Sequence, residues 1–344
     1  MKAALVTGLE TIELVDFEAP QADAGQAVVE ISHCGICGTD LHAFQSGAPY
    51  NPAICGHEWA GTVSHVGADV SHLREGDRVG VGVPPACGEC SECVGGDAMH
   101  CQFVLSSMLA VGRFATPYGG FSPSLALDAA RLYPVHAKLS DPEAALLEPA
   151  TVALHAVRRT PIALGDSVVV LGAGPIGLLV LQCARASGAG CAVMIEPAAD
   201  RARLATEVGA TAVIDPTSED VEARVKEECG TRGADVVFEC AGIPKTIDQS
   251  VTLVRRGGVV SLVGLASLPA EIAPGNWLVK EVRLVASLGY LHEEFAQTMD
   301  LVADGRLRLD VLHSRTVGLA DLDAAFRSLI ANEGDVKVLV EPKL

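Results

Sequence analysis

The chain has 344 residues, 49% of them hydrophobic and 35 of them glycine, and sets 25 Lys and Arg against 43 Asp and Glu for a formal net charge of −18. That length exceeds what one core normally serves and predicts about two domains. The acidic balance excludes a nucleic-acid surface, because phosphate recognition needs clustered Lys and Arg.

Residues 1 to about 150 are rich in turns and short alternating runs. Val28-Val29-Glu30-Ile31 and Asp77-Arg78-Val79-Gly80-Val81 read as strands of a β-rich barrel domain. Before them, Glu10, Glu13 and Asp16 interrupt the start of the chain too early for an apolar export signal, so a cytoplasmic protein is expected. Eleven cysteines in a reducing compartment point to metal binding over disulfides. Four of them, Cys87, Cys90, Cys93 and Cys101, form C-x2-C-x2-C-x7-C, a spacing that wraps a tetrahedral Zn²⁺. With all four positions filled by thiolates, that zinc is structural. Earlier in the same region, Cys37 and the pair His57-Glu58 offer a thiolate, an imidazole and a carboxylate. Such a mixed set suits a metal with an exchangeable position, although the spacing alone is equally compatible with a structural histidine.

From about 151 to 287 the texture becomes strands alternating with helices. Val168–Leu171, Ala192–Ile195, Val236–Phe238 and Val259–Val263 are short apolar runs, and helical stretches such as 200–208 and 218–229 lie between them. This alternation predicts a parallel sheet covered on both faces. The uncharged run 167–184 is broken by Gly172, Gly174, Pro175 and Gly177, which rules out a membrane span. Gly172-Ala173-Gly174-Pro175-Ile176-Gly177 instead follows a strand and opens a helix, as a dinucleotide-binding turn does. The following strand ends at Glu196, 19 residues past Gly177. An acid there accepts hydrogen bonds from the adenine-ribose hydroxyls and repels a 2′-phosphate, so NAD is expected over NADP. Residues 288–344 return to a helix, a mixed stretch, another helix and a final strand over 336–340.

Taken in order, the motifs resemble the zinc-containing medium-chain dehydrogenase/reductase family along nearly the whole chain. They are Cys37-Gly38-Thr39-Asp40-Leu41-His42, Gly56-His57-Glu58, the four-cysteine lobe, Gly119-Gly120-Phe121, Glu148-Pro149, the glycine turn, Phe238-Glu239-Cys240 and Val263-Gly264-Leu265. The resemblance implies an α/β protein: a GroES-like β-barrel catalytic domain (1–150 and 288–344) split around a Rossmann parallel-sheet domain (151–287). It also implies two zincs, NAD, a small alcohol or ketone substrate, and a homo-oligomer, either dimer or tetramer.

Carried over by position, Cys37 and His57 are catalytic zinc ligands, and Glu58, Glu148 or both complete the shell. Glu148 stands where ethanol-oxidising members have cysteine, which resembles the sorbitol, butanediol and threonine dehydrogenase branch. Thr39 and His42 resemble the proton relay, and Asp40 the carboxylate that orients the imidazole of His57. Arg201 matches an arginine beside the adenosine, while Val263-Gly264-Leu265 and Leu288-Gly289-Tyr290 match segments lining the nicotinamide. One departure concerns substrate. Sorbitol dehydrogenase-like members carry an arginine where this chain has Gly289, which removes a cation for a polyhydroxy chain. The competing readings are a zinc-free quinone reductase-like enzyme and a catalytically silent member. Both predict lost ligands, whereas Cys37, His57, Glu58 and Glu148 are all present.

Overall fold

The computed structural model describes residues 1–47 and 51–344. These residues form two compact units. The first comprises Met1–Glu148, Tyr290–Ala303 and Leu312–Leu344, and the second Pro149–Gly289 with Asp304–Val311. The last of these segments departs from the expected boundary, which assigns 288–344 to the first unit as one block. The cause is local: Gln182 brackets the backbone of Arg308, donating to its carbonyl at 3.1 Å and accepting from its N–H at 2.7 Å. Leu307 and Leu309, on either side, are buried.

In the first unit a mixed sheet runs in the order His313–Val317, Lys337–Val340, Gln26–Gly35, Glu58–Val66, Arg78–Val81, Leu132–Pro134. Ser124–Asp128 pairs beside Gln26–Gly35, and Lys2–Gly8 and Thr11–Asp16 form a separate ribbon. The two long strands of this half, Gln26–Gly35 and Glu58–Val66, each carry a continuous run of buried residues, so both of their faces are covered there. A shared core that includes Ala4, Ile31, Phe44, Trp59, Phe121 and Phe326 fastens the ribbon to the sheet. Register then decides what meets at one sheet end. Gly35 lies opposite both Glu58 and Leu339, which brings the start of two strands beside the loop that carries Cys37.

The second unit holds a six-stranded parallel sheet ordered Ala212–Ile214, Cys191–Ile195, Ser167–Leu171, Ala234–Glu239, Val254–Leu262, Arg283–Ala286. This is the doubly wound order that leaves a crevice at the carboxyl ends of the central strands. Ser167–Leu171 is buried at every position, which explains why its sequence is a continuous apolar run with no alternation. Helices such as Pro175–Ala186, buried along most of its length, cover the sheet. Among the described residues no helix is long and apolar enough to cross a membrane.

Candidate metal centres and dinucleotide site

Both cysteine-containing sets predicted from sequence converge in the structure. The sulfurs of Cys87, Cys90, Cys93 and Cys101 all lie within 4.8 Å of one another. Individual separations are 4.0 Å for Cys87–Cys93, 3.9 Å for Cys90–Cys101 and 3.6 Å for Cys87–Cys101. Zn–S bonds of ~2.3 Å in a tetrahedron place sulfurs roughly 3.8 Å apart, so the cage has the size of a zinc thiolate site. Burial pushes the Cys101 thiol up, but N–H groups including that of Cys87 outweigh it and bring it down to about 6. A sulfur held as thiolate is what a metal requires.

The second set places the ligand atoms of Cys37, His57 and Glu58 within 4.8 Å of one another. Cys37 caps the helix Gly38–Ser46, whose first turn supplies Asp40. One oxygen of this fully buried carboxylate accepts from the N–H of Cys37 at 2.9 Å, and the other accepts from the N–H of Gly56 at 3.2 Å. Asp40 thus ties together the two loops that present Cys37 and His57. On the imidazole, Nδ1 lies 3.1 Å from the carbonyl of Ile54, which assigns the proton to Nδ1 and leaves Nε2 for the cluster. Burial lowers the His57 pKa, yet Cys37, Asp40 and Glu148 together raise it well above its usual value. An imidazole pulled toward its charged form reports surplus negative charge around it. The donor chemistry therefore fits a cation such as Zn²⁺.

Two further residues shape this set. Lys337, 279 residues beyond Glu58 in the chain, donates from Nζ to Glu58 Oε2 at 2.6 Å and to the carbonyl of Ile36 at 2.9 Å. Both side chains are almost wholly buried. Burial would lower the ammonium's pKa, but Glu58 and Cys37 raise it. Sequence reasoning missed Lys337; the available signal was a lone lysine inside the apolar run Val336–Val340. Glu148 stands outside the tight three-residue set. Burial raises it to about 7, against His57, Lys337 and a hydrogen bond with Tyr290. Tyr290, expected at the nicotinamide, is packed into the first unit with 5% exposure and bonds to Glu148. Thr39 lies 3.7 Å from the Cys37 sulfur, and His42 keeps a buried Nδ1 with no hydrogen-bond partner.

In the second unit the glycine turn has the geometry that its spacing predicts. Gly172 has φ +93°, and a Cβ on Gly177 would sit 1.8 Å from the Gly172 carbonyl oxygen, so neither position accepts a side chain. A Cβ on Gly174 would meet nothing within 4 Å. Open space above a helix N-terminus is the cradle that a pyrophosphate occupies. Pro175 and Ile176 begin the helix. Glu196 is 6% exposed, and its carboxylate accepts from the N–H of Ala173 at 2.7 Å and of Ala198 at 2.9 Å. It therefore lies against the turn, at the carboxyl end of its strand. Val263 and Gly264 donate their N–H groups to the Glu239 carbonyl at 2.9 and 2.8 Å. Leu265 and Leu288 are exposed, Gly289 has φ +61°, and Arg201 is partly buried.

A parallel nucleotide-binding sheet, a mixed sheet with a thiol–imidazole–carboxylate set and a closed four-thiol cage define a zinc-dependent, nicotinamide-using oxidoreductase. Comparison with known proteins agrees. Residues 23–137 match the alcohol dehydrogenase GroES-like domain and residues 175–304 match the zinc-binding dehydrogenase domain. The chain is 31% identical to (R,R)-butanediol dehydrogenase of Bacillus subtilis, over 99% of this chain and 100% of the relative. The crystal structure of 2R,3R-butanediol dehydrogenase from Bacillus subtilis superposes with a TM-score of 0.86 at 31% identity, covering 99% of each chain. This chain is also 33% identical to 2-dehydro-3-deoxy-L-galactonate 5-dehydrogenase of Pseudoalteromonas atlantica, over 99% of this chain and 98% of the relative. The chain belongs to the zinc-containing medium-chain dehydrogenase/reductase family, close to the butanediol and sorbitol dehydrogenases. It is an NAD-dependent zinc enzyme of the alcohol and polyol dehydrogenase type.

Proposed function

We propose that the enzyme oxidises a secondary alcohol, diol or amino alcohol with NAD⁺, and reduces the matching ketone, at the Cys37–His57–Glu58 set. The convergence of those three ligand atoms within 4.8 Å carries the proposal. Zinc held there supplies a Lewis acid that makes an alcohol hydroxyl more acidic, and nicotinamide supplies the hydride acceptor. The chain's own residues then manage position and protons. Asp40 fixes the helix start from which Thr39 and His42 project. The Thr39 hydroxyl both accepts and donates, and His42, whose Nδ1 has no hydrogen-bond partner, passes the proton onward. Glu148 completes or approaches the metal shell, held by Tyr290.

For the cofactor, Gly172, Gly174, Pro175, Ile176 and Gly177 receive the pyrophosphate, and Glu196 the adenine ribose. Arg201 stands beside the adenosine, and Val263, Gly264, Leu265, Leu288 and Gly289 line the nicotinamide. Self-association into a dimer or tetramer is supported by the second unit's edge strand Arg283–Ala286, which is paired on one side only. Nearby, Leu268, Leu278, Val279 and Leu284 are exposed. Such an edge with an apolar surround needs a cover.

Replacing His57 with Ala tests the reading. NADH formation from diols, followed by fluorescence, should vanish, and zinc content should fall from about two to about one per chain while the four-thiol site stays filled. NADH binding should survive. Persistent turnover with two zincs would overturn the assignment.

A further inference from the structure

We infer that Cys191 and Cys229 form a thiol modification site in the second unit, one that closes to a reversible disulfide when hydrogen peroxide reaches it. The inference stands apart from the dehydrogenase reading above.

Cys37 and the four cage cysteines belong to the metal sets. Cys34, Cys55 and Cys183 are buried, and burial raises each of these thiols. Cys191 and Cys229 are different, because both are only partly buried. Cys191 opens the strand Cys191–Ile195, and Cys229 is the last residue of the helix Val221–Cys229. They are 38 residues apart in sequence, yet their sulfurs lie 4.0 Å from each other. The Cys191 sulfur is held toward the helix end, 3.5 Å from the Glu228 carbonyl, and lies 3.5 Å from the Thr211 hydroxyl. That hydroxyl is itself fixed on the backbone of Ala192, accepting from its N–H and donating to its carbonyl, both at 3.0 Å. Sulfurs already in contact must approach by about 2 Å more to bond at ~2.05 Å. The helix end can supply that step. Gly230 follows Cys229 with φ +90°, a conformation suited to glycine, and a helix's terminal turn is its least restrained part.

Position also divides the roles. The thiolate is the reactive form of cysteine, and burial, with Cys191 beside it, pushes Cys229 up to about 12. Cys191 is therefore the sulfur that meets the oxidant. Its thiolate takes one oxygen from hydrogen peroxide, the O–O bond breaks, and a sulfenic acid and hydroxide result. The Cys229 sulfur then attacks the Cys191 sulfur, and the sulfenic oxygen leaves as water with the Cys229 proton. In total, two thiols are oxidised to one disulfide while one peroxide is reduced to two waters. A dithiol reverses the step by exchange. The bond joins the start of a strand to the end of the helix Val221–Cys229 that packs near it, and closes a loop over residues 191–229. Closing that loop restricts the unfolded chain, so the second unit becomes harder to unfold. Capture by Cys229 also stops Cys191 short of irreversible sulfinic acid. The pair lies at the amino end of the strand, whereas Glu196 and the glycine turn lie at the carboxyl end, so turnover is spared.

The experiment exposes the zinc-loaded enzyme to a small excess of hydrogen peroxide, alkylates the remaining thiols under denaturing conditions, and maps them by mass spectrometry. Peptides carrying Cys191 and Cys229 should be found joined, with both cysteines lost from the alkylated set, and dithiothreitol should restore both. The cross-linked protein should melt about 5 °C higher than the reduced one. In Cys229→Ser no cross-link should form, and dimedone should trap the sulfenic acid on Cys191. In Cys191→Ser the thiol of Cys229 should stay open to alkylation. The wild-type map needs no variant, so a misfolded substitution leaves the test standing. The inference is overturned if Cys191 and Cys229 both remain alkylated while the cage thiols are consumed and zinc is lost. A cross-link from Cys191 to some other cysteine, or cross-linked protein that melts no higher than reduced protein, overturns it as well.

Discussion

Lys337→Met keeps most of the lysine stem's volume and deletes only the charge, so its effect isolates the buried pair with Glu58. In the native protein the Lys337 and Glu58 side chains are 3% and 2% exposed and their charged atoms are 2.6 Å apart. Removing one partner of such a pair strands the other, at a cost of about 3–5 kcal/mol. The Ile36 carbonyl also loses its 2.9 Å donor, which adds about 1 kcal/mol. A net loss of about 4 kcal/mol is therefore expected at pH 7 in protein whose Cys37–His57–Glu58 set holds no zinc. Urea unfolding of wild type, Lys337→Met, Glu58→Gln and the double variant forms a complete cycle. The double variant should lose much less than the sum of the two single variants, because each single change leaves a buried group unmatched and the pair together does not. A Lys337→Met loss below about 1 kcal/mol, with strictly additive effects, would refute the reasoning. It would mean that Glu58 is neutralised by some other positive charge.

Two further outcomes follow from the second unit. Glu196→Ser removes the acid that sits against the glycine turn, where it accepts from Ala173 and Ala198. The kcat/KM preference for NAD⁺ over NADP⁺ should shrink by at least tenfold, since a like-charge repulsion of the 2′-phosphate is lost; an unchanged preference would place the ribose elsewhere. Asp235 carries a pH signature. Burial raises its pKa, but hydrogen bonds from Arg255 at 2.6 Å and Ser167 at 2.7 and 2.9 Å outweigh it and hold the group below its ordinary value. A depressed folded pKa gives stability that is present above the unfolded value near 4 and lost as pH falls through the folded one. Thermal melts from pH 5 down to pH 2 should show Asp235→Asn less stable at pH 5 and converging on wild type at the acid end. Parallel curves would refute the assignment.

What could be read in advance divides along a physical line. The parallel sheet was legible because strands buried on both faces must be apolar at every position, as Ser167–Leu171 is. The zinc lobe was legible because four thiolates must be close in sequence to wrap one small ion, and here they span 87–101. The catalytic set is different in kind. Its members arrive on separate loops and strand ends, and only the register that places Gly35 opposite Glu58 and Leu339 reveals that Lys337 is part of it. No local pattern encodes a pairing across 279 residues.

Roles played by the backbone are harder still to anticipate. The carbonyl of Ile54 lies on Nδ1 of His57, and the oxygens of Asp40, the carboxylate expected to orient that ring, accept from the N–H groups of Cys37 and Gly56. A carbonyl is the same whichever residue carries it, so the sequence holds no mark of its use. Buried charge is the informative remainder. Lysine is rarely enclosed without a partner, and this fold encloses Lys337 together with its partner. Lys337 is satisfied by Glu58 and belongs to the architecture of the metal set.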